Sequence, residues 1–124
     1  MIKFIILLSM IFCHIVDDYY LQGWLASAKQ KQWWVNNSPD QMYKYDYLMA
    51  LFMHSFSWSF MVMLVPTIYI IWFGGVYKPL IFIGNVIAHM TTDNMKANQK
   101  KINLVQDQLI HLIFIVATWF SMMF

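Results

Sequence analysis

Four long apolar stretches, separated by short polar segments, organise the chain. They run over about 2–25, 47–73, 77–95 and 104–124. Each is near the ~20 residues that a helix needs to cross the hydrocarbon of a bilayer. Helix is the state that satisfies every backbone group within one segment, whereas an open strand leaves them unpaired in lipid. The pattern therefore predicts an all-α, polytopic membrane protein: one domain over 1–124, with about four transmembrane helices in an up-down bundle. Turn chemistry places loops at Asn36-Asn37-Ser38-Pro39-Asp40 and at Gly74-Gly75. Pro79 falls in the first turn of the third helix, where a missing N–H costs nothing. Pro66 lies inside the second helix, which either kinks there or tolerates it. Trp33 and Trp34 fit an interfacial belt or a short amphipathic segment lying on the membrane.

Composition strengthens this reading. The chain is 60% hydrophobic and 11% charged, against roughly 25% charged in ordinary globular domains. A soluble fold of this length has too few polar groups here to cover its surface, so the lipid bilayer is the expected partner. The net charge of +2 gives no nucleic-acid footprint. Cys13 is alone, which excludes an internal disulfide. Met1 to Phe12 carries Lys3 and an apolar run, as a signal peptide does. Met10, Ile11 and Phe12 are bulky where a cleavage site wants small residues, so the segment is expected to remain as part of the first helix.

Lysine placement sets the orientation. With four spans, the loops after the first and third helices share a side that holds Lys29, Lys31, Lys44, Lys96, Lys100 and Lys101. The opposite side holds Lys3 and Lys78. This excess marks the first side as cytoplasmic.

The ionisable residues gather at that same end. His14 and Asp18 lie near the close of the first helix and His54 near the start of the second. His89 and Asp93 lie near the close of the third, and Asp107 and His111 near the start of the fourth. Three of these are His/Asp pairs at i, i+4, which share one helix face. Charged groups in a membrane are costly and usually face the bundle interior or a wet cavity. Gln22 and Lys29 extend the first stripe, Lys96 extends the third, and Gln108 adjoins the fourth.

Imidazole and carboxylate together suit a divalent metal such as zinc, manganese or iron. Facing helices of bundles build such sites. His14, Asp18, His54, His89, Asp93, Asp107 and His111 are the candidate ligands. Asp18 and Lys96 are candidate catalytic residues, the lysine because it can offset phosphate charge on a substrate. The expected function is an integral membrane protein with a cytoplasm-facing His/Asp pocket, extending to metal-dependent hydrolysis of a phosphorylated or lipid substrate. The alternative is non-enzymatic: a proton or ion path, a partner-binding subunit, or a structural polar network made of the same residues. The apolar outer half of the helices, for example Ile5 to Phe12 and Met61 to Val65, favours a pocket over a pore. Phosphate-loop, dinucleotide and serine-hydrolase motifs are all absent. A homo-oligomer is compatible with the amount of helix surface such a small bundle exposes.

The motifs also carry a family likeness. His14-Ile15-Val16-Asp17-Asp18-Tyr19-Tyr20-Leu21-Gln22 fits H-x-x-x-D-[FY]-x-L-Q, followed by His54, then His89, Asp93 and Lys96 as H-x-x-x-D-x-x-K, then Asp107, Gln108 and His111 as D-Q-x-x-H. In this order, over His14 to His111, they resemble the bacterial and phage membrane family called domain of unknown function 3307. Tyr19 stands where phenylalanine is common, and Asp17 is an extra acid outside the pattern. The resemblance implies a multi-pass protein, in bacteria one of the inner membrane, and implies no activity.

Overall fold

The polar stripes of the sequence end up inside the molecule and its apolar faces outside. The computed structural model describes Met1–Phe124 and contains helices and turns but no strands. Helix α1 (Ile2–Val16) passes directly into a π-helical turn, Asp17–Leu21, and stops at Gly23. There the backbone takes φ +52°, the left-handed conformation that glycine adopts without a Cβ penalty. The first helix is thus shorter than the predicted 2–25. Two short helices follow, α2 (Leu25–Ala28) and α3 (Lys31–Asn37). Asp40 then caps a 3₁₀ turn, Gln41–Tyr43, by accepting from the Met42 N–H.

Helix α4 (Asp46–Phe73) runs unbroken through Pro66. Gly74 and Gly75, both at positive φ, reverse the chain. Helix α5 (Pro79–Ala97) begins at the proline expected in its first turn. Helix α6 (Leu104–Met123) opens with a reciprocal capping box between Asn103 and Gln106.

The segments Ile2–Leu21, Gln41–Phe73 and Leu104–Met123 are long and apolar enough to cross a membrane. The fourth predicted span, α5, is long enough but is not among them. Asn85, His89, Thr92, Asp93, Asn94 and Lys96 interrupt its apolar run. Its own geometry shows where the polarity goes: Asn85, His89, Thr92 and Asp93 are buried, while Leu80, Ile83 and Ile87 face outward.

The four long helices pack in the cycle α1–α4–α5–α6 and close between α6 and α1, with α4 and α6 also touching. One half of the interior is apolar, built from Ile6, Met10, Val62, Met63, Ile115 and their neighbours. The other half is polar. Fourteen of the 29 buried residues are polar or charged, which reverses the usual soluble arrangement. Phe4, Leu8, Phe52, Phe56, Leu109 and Ile113 meanwhile point outward.

Candidate metal centre

All four histidines and four of the six aspartates lie buried together in the polar half. The predicted ligands His14, Asp18, His54, His89, Asp93, Asp107 and His111 therefore do converge from α1, its π turn, α4, α5 and α6. Their relations differ. His14 is fully engaged: Trp58 Nε1 donates to its Nδ1 at 2.8 Å, and its Nε2 lies 3.0 Å from Gln108 Oε1. The indole fixes Nδ1 as an acceptor, so Nε2 carries the proton and donates to the glutamine.

The other three histidines are not engaged. Neither ring nitrogen of His54, His89 or His111 has a hydrogen-bond partner in the protein. Burying such groups unpaired costs about 1–3 kcal/mol each. Yet carboxylates surround them. His54 Nε2 lies 3.2 Å from Asp18 Oδ1 and 3.5 Å from Asp93 Oδ2. His89 Nε2 lies 3.8 Å and 3.7 Å from the same two oxygens. His111 Nε2 lies 3.6 Å from Asp93 Oδ1.

A direct N–H···O bond puts the heavy atoms about 2.7–3.2 Å apart, so the 3.2 Å contact of His54 with Asp18 lies at the limit of that range and the others exceed it. Two ligand atoms each ~2.1 Å from a tetrahedral ion lie about 3.4 Å apart, and the five separations, 3.2 to 3.8 Å, accommodate such an ion. Three groups place their ligand atoms within 4.8 Å of one another: Asp18 with His54 and His89; His89 with Asp93 and His111; His14 with Asp18 and His111. In the first group Asp18 Oδ1 and both Nε2 atoms are all without partners. The donor set fits a divalent ion, with imidazole and carboxylate as ligand types common to zinc, manganese and iron.

Around this core lies a layer that orients it. Asp17 Oδ1 accepts from Ser57 Oγ at 2.5 Å, and its Oδ2 faces His54 Nδ1 at 3.6 Å. Asp107 Oδ2 accepts from Lys96 Nζ at 2.8 Å and from Gln108 Nε2 at 3.0 Å, and faces His111 Nδ1 at 3.8 Å. His54 thus turns Nδ1 to an outer carboxylate and Nε2 to inner ones, the arrangement by which outer carboxylates orient ligating histidines, and His111 turns Nε2 to Asp93 and Nδ1 to both Asp107 and Asp18. Lys29 Nζ donates to Asp93 Oδ2 at 2.6 Å, with both side chains buried. The Trp58 indole stacks on His89, 4.4 Å between ring centroids and 16° between planes.

The sequence reading set Asp17 aside as an extra acid, and the structure buries it fully. Asp17 and Asp18 open the π turn, and both side chains are buried. Gln22, in contrast, does not join the carboxylates: its amide nitrogen donates to the Asp18 backbone carbonyl. The molecule's four main cavities, about 240 to 360 Å³, lie elsewhere, and no cluster histidine lines any of them. Lys29 and Lys96, drawn onto Asp93 and Asp107, sit where the mouth was expected.

Fold and site together define an all-helical protein with three membrane-length helices and a buried His/Asp cluster whose geometry is compatible with a metal. No protein-family model, no curated protein and no solved structure matches the chain.

Proposed function

We propose that the chain is a four-span membrane metalloprotein that holds a divalent ion, zinc, manganese or iron, inside the cytoplasmic end of its bundle. The observation that carries this is the triad Asp18 Oδ1, His54 Nε2 and His89 Nε2. All three atoms are buried, make no hydrogen bond within the protein, and lie within 4.8 Å of one another. Asp93 Oδ2 completes a fourth side, its charge shared with Lys29. The lysine-rich side is the cytoplasmic one on this reading, and the motifs keep their likeness to domain of unknown function 3307.

An ion held by two histidines and one or two carboxylates supplies Lewis acidity and an activated water for hydrolysis. The protein's own part is to exclude bulk water, to orient His54 and His111 through Asp17 and Asp107, and to keep two ammonium groups at the rim. Lys96 is half-exposed there and suits an incoming phosphoryl group. We therefore favour hydrolysis of a phosphorylated or lipid substrate, with Lys29 and Lys96 moving aside on its arrival.

The test is elemental analysis of detergent-purified protein, wild type beside Asp18→Asn and His54→Ala. Stoichiometric metal that both changes remove is the expected result. Wild-type protein that takes up no zinc, manganese or iron on reconstitution would sink the proposal. A proton relay is the second reading, favoured by the burial of four histidines and four aspartates in one cluster. It requires a continuation through the apolar half, where Met10, Val62 and Ile115 are fully buried. Proton flux in liposomes that responds to pH and stops on His14→Ala would favour the relay instead.

A further inference from the structure

We infer that the cluster holds two divalent ions bridged by the carboxylate of Asp93, an inference that rests on the metal reading above. Asp18 Oδ1 faces His54 and His89, while its Oδ2 lies beside Nδ1 of His14 and Nδ1 of His111, at 3.5 Å and 3.9 Å. Asp93 Oδ2 faces His54 and His89, while its Oδ1 faces His111 Nε2 at 3.6 Å. A single ion at the first position leaves Asp93 Oδ1 and His111 Nε2 without a role.

The orphaned atoms on the His111 side make the same point. Both nitrogens of His111 lack partners although the residue is wholly buried. Its Nδ1 faces Asp107, which Lys96 and Gln108 hold in place. That is the outer support His54 receives from Asp17, repeated on a second helix. Two helices thus each offer a supported Nε2 to opposite oxygens of Asp93. Carboxylates shared in this way hold ions about 3.5–4 Å apart, the spacing at which a pair clamps the attacking and leaving oxygens of a phosphoryl centre. Four aspartates and two lysines leave the cluster at −2 with its histidines neutral. Two dications bring it to +2, a charge the phosphorylated substrate proposed above would offset.

The full chain, purified in detergent, is stripped of metal and loaded with Mn²⁺ alone. Manganese per chain is measured by elemental analysis, and spin coupling by electron paramagnetic resonance. Two manganese ions per chain with a coupled spectrum are expected, falling to one uncoupled ion in His111→Gln. One ion per wild-type chain with an isolated-ion spectrum overturns the paired centre and leaves the His54/His89 position standing. No bound manganese, zinc or iron overturns both. The wild-type stoichiometry decides the matter even if the variant does not fold.

Discussion

The two halves of this bundle are buried to the same degree and satisfied to very different degrees. In the apolar half, Met10, Val62 and Ile115 pack against one another and need no partner beyond contact. Polar groups at that end are mostly paired locally. Lys3 donates to the Met123 carbonyl, Trp119 to the Lys3 carbonyl and Thr118 to Asn85. In the polar half, six imidazole nitrogens and oxygens of Asp17, Asp18 and Asp107 have no hydrogen bond. One half is close to complete as it stands, with Asn85 Nδ2 left over. The other is arranged around atoms it does not itself supply, which is why we place function there.

The comparison can be broken most severely at Lys29. Replacing it by Met strands the Asp93 charge in the interior, and breaking a buried pair in this way costs about 3–5 kcal/mol. Unfolding of Lys29→Met in detergent should show that loss, and Lys29→Met with Asp93→Leu should recover most of it. Asp18→Asn should leave helix content by circular dichroism unchanged. It should weaken metal binding by more than about 100-fold, beyond the range seen for outer partners. Asp17→Asn tests the outer layer: metal titration should show a loss of about 10- to 100-fold, with stoichiometry retained. Ile115→Ala tests the other half. On the four-span reading lipid is as apolar as the core, so the cost should fall at the low end of core truncations, about 2 kcal/mol, and metal binding should not change. The smallest effect is expected from Asn103→Ala, which removes the cap of α6 at about 1 kcal/mol. A large effect of Ile115→Ala on metal binding would erase the distinction between the halves.

Much of the polar half was legible because helical periodicity and up-down connection are simple rules. Three i, i+4 pairs and His54 could be brought to one end from spacing alone, and all of them meet. Asp17 could not be read so. It lies outside the i, i+4 pairs, and it opens a π turn, an i→i+5 departure that no motif in the sequence announces. His14 shows a different limit. Its spacing to Asp18 matches that of the ligand pairs, but Trp58 and Gln108 take up both its nitrogens, and those partners lie on α4 and α6. Gly23 was a readable stop inside the first apolar stretch, since glycine at a helix end is a familiar signal. The stretch's hydrophobicity outweighed it. The closure of the cluster by Lys29 and Lys96 depends on long flexible side chains folding back over it, which spacing does not constrain.

Helix α5 carries a consequence for how such a protein is made. It presents isoleucines and leucine outward and keeps His89 and Asp93 inward, so its hydrophobicity averaged over the segment is low. On the four-span reading, a translocation channel that weighs nascent segments one at a time would find α5 a poor passenger. Its polar face becomes tolerable only against the matching faces of α4 and α6. Membrane integration of α5 should therefore wait for α6 to emerge from the ribosome, and the two should leave the channel together as a hairpin. The residues that build the site would then also set the timetable of the protein's biogenesis.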